Sequence, residues 1–560
     1  MKWVSGLVVC LAYLTSPTID ASERDNVLAA MDAEMQRSKD TLKIENYDAP
    51  YFISYRIVEV SKTQFYASFG GLVTDSFSQK RRAAVDVRVG DYQFDSSPDQ
   101  DELGGYEYES FVPHEGVAIS GDIPSLRSTL WLLTDEAYKE ALSTFLQKKA
   151  KRVRKLEKVQ VNSLSKEEVI TVIEPEIHPV LDREQARSLV VDISRIFRKG
   201  RGYLMGDVGF GLRHVRTYLV NSEGTRVVKE HAIYQLSIEV AARAEDGLFL
   251  EQGRSMYGRT FEELPSRTQL EDIAIDVMAK LDALRVAPVA EPYTGPAILR
   301  PQAAGVFFHE TIGHRLEGER QNSDLEGQTF KGQLGQKILP EFISVYDDPT
   351  QKKHGTVSLN GHYHVDDEGV KARKVGLVES GVLKTFLTSR TPLETVTQSN
   401  GHGRAAGTQR PMARMGNLLV KGHAPTDETT LKSKLIAEAK KQGKPYGLII
   451  DDITGGSTNT SNFGYQAFKG TPRMVYRVDA ETGEETLVRG VEMVGTPLSA
   501  VNKIIATGRE VEVFNGYCGA ESGYVPVSAV APSVLFSEIE LQSTKREKRR
   551  RPILPAPWRE

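Results

Sequence analysis

Ala303-Ala304-Gly305-Val306-Phe307-Phe308-His309-Glu310-Thr311-Ile312-Gly313-His314 is the stretch on which the reading of this chain turns. Its first half is apolar enough to be buried, so the helix it predicts carries two histidines and a glutamate into apolar surroundings. Buried polar groups need partners, and a metal ion is one partner that imidazoles can share. The histidines are five apart, one step more than in the H-E-x-x-H motif, where they lie four apart on one helix face. At about 100° per residue, five steps leave the two side chains roughly 140° apart. An ideal α-helix would not aim both at one ion. Single-turn π-bulges occur often at functional sites, and glycine tolerates unusual backbone angles. The sequence therefore predicts a distorted helix at Gly313. The plainer alternative is a helix whose histidines are hydrogen-bonded in a core.

A catalytic tetrahedral zinc takes three protein ligands and keeps one position open for water. His309 and His314 leave one ligand to find. Cys518, in the glycine-flanked turn Asn515-Gly516-Tyr517-Cys518-Gly519-Ala520, is the first candidate, because thiolate and imidazole both suit zinc. The alternatives are Glu317, just past His314, and the pair His362 and His364, which would face one side of a strand. Glu310 is the expected general base. Zinc lowers the pKa of its water to about 7, and a carboxylate beside that water can pass its proton to the leaving amine. Asp366, Asp367 and Glu368 read either as a second cation site or, beside Gly369, as a solvated turn. Arg414 and Asn417 read either as contacts to a substrate backbone or as structural residues.

Outward from the motif, Ala287-Pro288-Val289-Ala290-Glu291-Pro292 and Gly295-Pro296 form the clearest Pro-rich joint. Beyond it glycine is frequent and short β-like runs dominate, at 356–359, 374–378, 383–387, 447–450 and 474–478. Before it, helices are expected over 23–43, 135–159 and 269–284, and strands over 51–58, 83–89 and 234–242. Asn221-Ser222-Glu223-Gly224 between two apolar runs is a hairpin turn. The expectation is an α+β chain: a signal segment at 1–21, an N-terminal α/β domain at 22–290, a β-rich C-terminal domain carrying the metal-site helix at 291–545, and a basic tail at 546–560.

Lys2 followed by the apolar run Trp3 to Leu14 fits a secretory signal peptide, and the run is shorter than the about 20 apolar residues of a spanning helix. The expected location is thus outside the cytoplasm, periplasmic or extracellular, with no transmembrane segment. Of the two cysteines, Cys10 lies in that segment, so an exported chain would keep only Cys518 and no disulfide framework. The 560 residues carry a net charge of −4, with 26% charged and 40% hydrophobic residues. That balance suits a soluble globular protein and gives no reason to expect nucleic acid as a partner.

His309-Glu310-Thr311-Ile312-Gly313-His314-Arg315-Leu316-Glu317-Gly318 resembles the H-E-x-x-G-H-x-x-E-G signature of the TldD/PmbA family of metallopeptidases. Tyr218 to Gly224, Asp366 to Gly369, Arg414 to Asn417 and Gly516 to Gly519 are similar to the same family in the same order. The joint presence of the histidine motif and the cysteine turn resembles its catalytic TldD branch. The resemblance implies an N-terminal α/β domain and a β-rich C-terminal domain with one Zn2+ per chain. It implies His309, His314 and Cys518 as ligands and Glu310 as the catalyst. It further implies an extended, unfolded or short peptide as substrate, and a working pair: a heterodimer with a PmbA-type subunit or, for an exported chain, a homodimer. The competing expectation is a non-enzymatic subunit whose metal, closed by a fourth protein ligand, supports assembly of a peptidase complex. The apparent signal segment departs from the family's cytoplasmic members, as do insertions at about 91–113 and 135–165.

Overall fold

Long strands with one alternating apolar face build the first half of the molecule. Pro50–Ser68 and Gly71–Val89 form a hairpin whose two-residue turn, Phe69-Gly70, has φ of 45° and 81°, the positive values that a tight twisted hairpin requires. Tyr203–Asn221 pairs with Pro50–Ser68 and with Arg226–Arg243. Their connection is the expected turn: Asn221 Oδ1 accepts the N–H groups of Glu223, Gly224 and Thr225 at 3.0–3.1 Å. With Phe111–His114, Thr171–Ile173 and Phe249–Gly258 these strands make a seven-stranded sheet. The structure, a computed structural model, describes residues 21–97, 111–155, 161–323, 326–461, 468–495 and 497–544, with 554, 556 and 557. The expected signal segment, save Ala21, and most of the basic tail lie outside the described residues, as does the middle of the insertion at 91–113.

One face of the sheet is covered by four helices. Ala21–Thr41 and Ile123–Lys155 pack on Ile53, Tyr55, Ile57 and Val85. Arg183–Ile196 and Arg267–Val286 pack further along the same face on Phe65, Phe210 and Tyr234. Between the two apolar clusters one rung of the sheet is charged. Arg81, Glu59, Arg216 and Glu230 are successive cross-strand partners, joined at 2.7, 3.5 and 2.7 Å. Buried charges are tolerated where each is paired, and this rung pairs all four. The opposite face of the sheet, including Arg56, Arg213, Lys229 and His231, is turned to the second half of the chain.

That second half is an eleven-stranded sheet. Tyr293–Leu299, Tyr446–Thr458, Phe468–Asp479, Val491–Gly495 and Gly523–Ser543 pair in a closed circuit. The last of these, 21 residues long, also pairs with Ile504–Ala520 to form a ribbon. Helix Glu428–Lys441, capped by Asp427, covers the outside. The chain is thus α+β, as expected. No described helix is long and apolar enough to cross a membrane.

The acidic turn is not solvated as the sequence suggested. Asp366 is 1% exposed and accepts the N–H groups of Glu368, Val370 and Gly403 at 2.9 Å. Asp367 is held by Lys229 at 2.8 Å, so the turn clamps the two halves together.

Candidate metal centre

Pro301 opens the helix Pro301–Phe308 at its first position, where a missing N–H is no loss. Phe307 anchors the helix, edge-on to Phe468 and Phe536 at ring distances of 5.6 and 5.0 Å. At His309 the helix widens into a π-helical turn, His309–Gly313, and the His314 N–H reaches the His309 carbonyl. This is the distortion that the five-residue spacing demands. A β-carbon on Gly313 would lie 2.0 Å from Met415 Sδ, so the wide turn fits only because residue 313 has no side chain. Gly313→Ala is expected to lower stability by about 1–3 kcal/mol through overpacking, read as a shift in the denaturant midpoint.

The wide turn brings both imidazoles to one place, with ring centres 5.0 Å apart and planes at 83°. The ribbon strand Ile504–Ala520 delivers Cys518 to the same place. Its Sγ is 3.3 Å from His309 Nε2 and 3.4 Å from His314 Nε2. The three donor atoms lie within 4.8 Å of one another, and all three residues are at most 6% exposed. With zinc–sulfur near 2.3 Å and zinc–nitrogen near 2.0–2.1 Å, tetrahedral angles put nitrogen and sulfur about 3.6 Å apart. The donor set therefore fits such an ion. Burial alone would push the Cys518 thiol up. The charges of His314 and His309 and their hydrogen bonds overcome that and hold it well below the usual thiol range, as a ligand requires.

Glu317, one alternative third ligand, has a different part. Its Oε2 is 3.0 Å from His314 Nδ1, the ring nitrogen away from the cysteine. Arg320 sits 3.0 Å from the same oxygen and Arg414 3.2 Å from the other. Against burial, His314 and Arg320 hold this carboxyl far below the usual range. A carboxylate behind a ligating histidine fixes its tautomer and orientation. Glu317→Gln is expected to weaken metal affinity about 10–100-fold, measured by competition with a chelator, while saturating metal still fills the site.

Arg414 does not face a substrate. It is 1% exposed and donates to the Cys518 carbonyl at 2.8 Å and to Ser522 Oγ at 2.9 Å, which fixes the end of the ribbon. Asn417 is likewise structural, its amide donating to the carbonyls of Asp348 and Gln351 at 2.9 and 3.0 Å. His362 is bound to the Pro349 carbonyl at 2.8 Å. Among the described residues only His309, His314 and Cys518 form a cluster that could hold a metal. Arg320, which sequence reasoning missed, ties Glu317 to Glu521 through two contacts of 2.8 Å. Its only sequence signal is its place three residues after Glu317.

Glu310 sits beside the trio, Oε2 3.9 Å from His314 Nε2. A β-carbon on Gly456 would come within 2.5 Å of Glu310 Cγ, so that glycine sets where the carboxylate lies. Arg315 donates to the Glu310 carbonyl and to Thr458 Oγ1 at 2.8 and 2.9 Å, closing the turn from behind. The donors and Glu310 open onto a cleft of about 1730 Å3 between the two halves, lined also by 252–257, 451–458 and 510–521.

Residues 292–543 match the family model of the PmbA/TldA metallopeptidase C-terminal domain. The chain is 28% identical over 383 residues to a metalloprotease of Methanocaldococcus jannaschii, covering 67% of this chain and 74% of that one. It is 32% identical to a metalloprotease of Archaeoglobus fulgidus over 47% of this chain and 55% of the relative. It is 27% identical to a zinc metalloprotease TldD homolog of Saccharolobus solfataricus over 57% and 67%. The crystal structure of TldE from Thermococcus kodakarensis shares the fold with a TM-score of 0.62 and 14% identity, over 92% of this chain and all of that one.

Proposed function

Because the chain belongs to the TldD/PmbA metallopeptidase family, we propose that it is a zinc-dependent peptidase that hydrolyses unfolded or short peptides. The observation that carries this reading is the meeting of Cys518 with His309 and His314 across some two hundred positions. His309, His314 and Cys518 would hold one zinc, and the two-nitrogen, one-sulfur donor set favours zinc over harder ions. When bound, zinc supplies Lewis acidity toward a carbonyl and lowers the pKa of water. Glu310 takes a proton from the attacking water on its carboxylate and hands it to the nitrogen of the departing amine. Glu317, at His314 Nδ1, would keep His314 in the tautomer whose Nε2 is free to hold the metal. Glu317 is itself occupied by His314, Arg320 and Arg414. It does not close the site as the reading of a purely structural metal would need.

The cleft supports an extended substrate. Tyr446–Thr458 is flanked by Tyr293–Leu299 only over Leu448–Ile450. Beyond that, one edge of 451–458 faces the cleft next to Glu310. An extended peptide can add to such an edge through main-chain hydrogen bonds, largely without regard to sequence. The chain works outside the cytoplasm after loss of residues 1–21, as a homodimer or with a PmbA-type subunit. These two parts rest on the N-terminal sequence and on the family resemblance.

Purified mature protein is expected to hold about one zinc per chain and to cleave an unfolded protein substrate. Chelation should abolish cleavage, and one equivalent of zinc should restore it. Cleavage that persists in fully metal-free protein would overturn the reading.

A further inference from the structure

A second cavity, of about 530 Å3, lies where the helix-free face of the seven-stranded sheet meets the second half of the chain. Tyr517, the neighbour of Cys518, belongs to the walls of both cavities. The ribbon that carries Cys518 thus forms part of the wall of each.

The second cavity gathers cations without counterions. Arg213 and His231 are diagonal neighbours on one face of paired strands, since Val215 is the direct partner of His231. Arg259 enters from the end of the strand Phe249–Gly258, and Arg404 from the opposite wall. Arg259 is fixed by the carbonyls of Leu359 and Asn360 at 2.8 and 2.9 Å. Arg404 is fixed by the carbonyls of Met415 and Pro526. Neither is paired with a carboxylate, and among the described residues Arg213 has no hydrogen-bond or ion-pair partner.

The carboxylates that line the same cavity are already engaged. Asp367 holds Lys229 at 2.8 Å, and Glu263 holds Lys353 at 2.7 Å. Glu230 and Glu176 hold Arg216. Glu174 accepts the Glu230 N–H at 3.1 Å, and Asp366 is filled by backbone N–H groups. Arg213, Arg259 and Arg404 are thus left without a carboxylate partner of their own. Burial pushes Arg259 down to about 10. Burial, and after it the charges of Arg259, Arg213 and Lys229, hold His231 well below the usual imidazole range.

Guanidinium forks match the oxygens of phosphate and carboxylate groups, and an anion placed among several would form charge-assisted hydrogen bonds. The volume lies within the about 300–1,000 Å3 of small-molecule sites, more than a bare ion fills. We propose that this cavity binds a small, multiply charged oxyanion, a phosphate ester or a polycarboxylate, with Arg213, Arg259 and Arg404 as its donors. Bound there, the anion joins the first sheet to the reverse side of the ribbon that carries Cys518.

The test uses the full metal-loaded chain, titrated calorimetrically with inorganic phosphate and, separately, with succinate, at ionic strength held constant by chloride. Saturable binding of one anion per chain is expected. Tighter phosphate identifies the phosphate-ester class, and tighter succinate the polycarboxylate class. Arg213→Met should weaken the preferred anion at least tenfold and leave the zinc content at about one per chain. Arg259→Met should do the same. Should that variant fail to fold, Arg213→Met still decides, because its guanidinium holds nothing else in place. Absence of saturable binding by either anion, or unchanged affinity in Arg213→Met, overturns the proposal.

Discussion

Cys518→Ala should take the zinc content of the purified chain from about one per molecule to less than a tenth, and peptide cleavage should disappear with it. The thiolate is the one proposed ligand contributed from outside the helix. Its Sγ touches both imidazoles, at 3.3 and 3.4 Å, so removing it leaves two neutral donors on one turn. Zinc held by a complete protein ligand set has apparent binding free energies of about 10–16 kcal/mol at neutral pH, and loss of a charged ligand removes a large share of that. The fold should survive. Cys518 sits in a ribbon paired from Val511 to Ala520 and held by Arg414 through the backbone carbonyl, which alanine retains. The measurement is elemental analysis after dialysis, beside a thermal melt that checks folding. A folded alanine variant that keeps one zinc per chain would show that the sulfur is no ligand.

How much of this centre was legible depended on the range over which each part acts. The wide turn was readable because its cause is local: two histidines five apart and Gly313 between them can share an ion only on a widened helix. Cys518 was a candidate by chemistry alone, since thiolate is scarce in this chain. Its arrival depends on the 21-residue strand Gly523–Ser543 that returns beside the metal-site helix, and no short window of sequence records that pairing. The same limit explains Arg414 and Arg320. Each is one arginine among many until the fold brings it to Glu317.

At the level of elements, strands such as Tyr446–Thr458 were seen only over their apolar ends. The part along the cleft, Thr454-Gly455-Gly456-Ser457-Thr458, lacks the alternation that marks a half-buried strand. Helix Arg183–Ile196 was missed although its signal is present. Asp182 caps it by accepting the Gln185 N–H at 2.9 Å, and Leu189, Val190 and Ile193 line its buried side. The charged rung Arg81–Glu59–Arg216–Glu230 lay outside reach for another reason. Each residue breaks the apolar pattern of its own strand, and only the register shows that the breaks coincide.

Glu310→Gln separates chemistry from metal binding, and is expected to lower kcat about 10²–10⁴-fold, the usual worth of a positioned acid–base group, with zinc content unchanged. Glutamine has the same shape, so it fits against Gly456 and leaves the trio of donors as it stands. It lacks the carboxylate that can take a proton from water. The companion change is Gly456→Ala. Its new β-carbon would lie 2.5 Å from Glu310 Cγ, so the carboxylate must move while its charge remains. That variant should also keep its zinc and lose activity, because a displacement near 1 Å can cost about 10²-fold. The two results together assign the loss to the position of one carboxylate beside His314, not to a damaged metal site. Both variants are assayed for zinc by elemental analysis and for cleavage of an unfolded substrate under saturating conditions. Full cleavage by Glu310→Gln would remove this residue as the base and leave the zinc site without its proposed proton carrier.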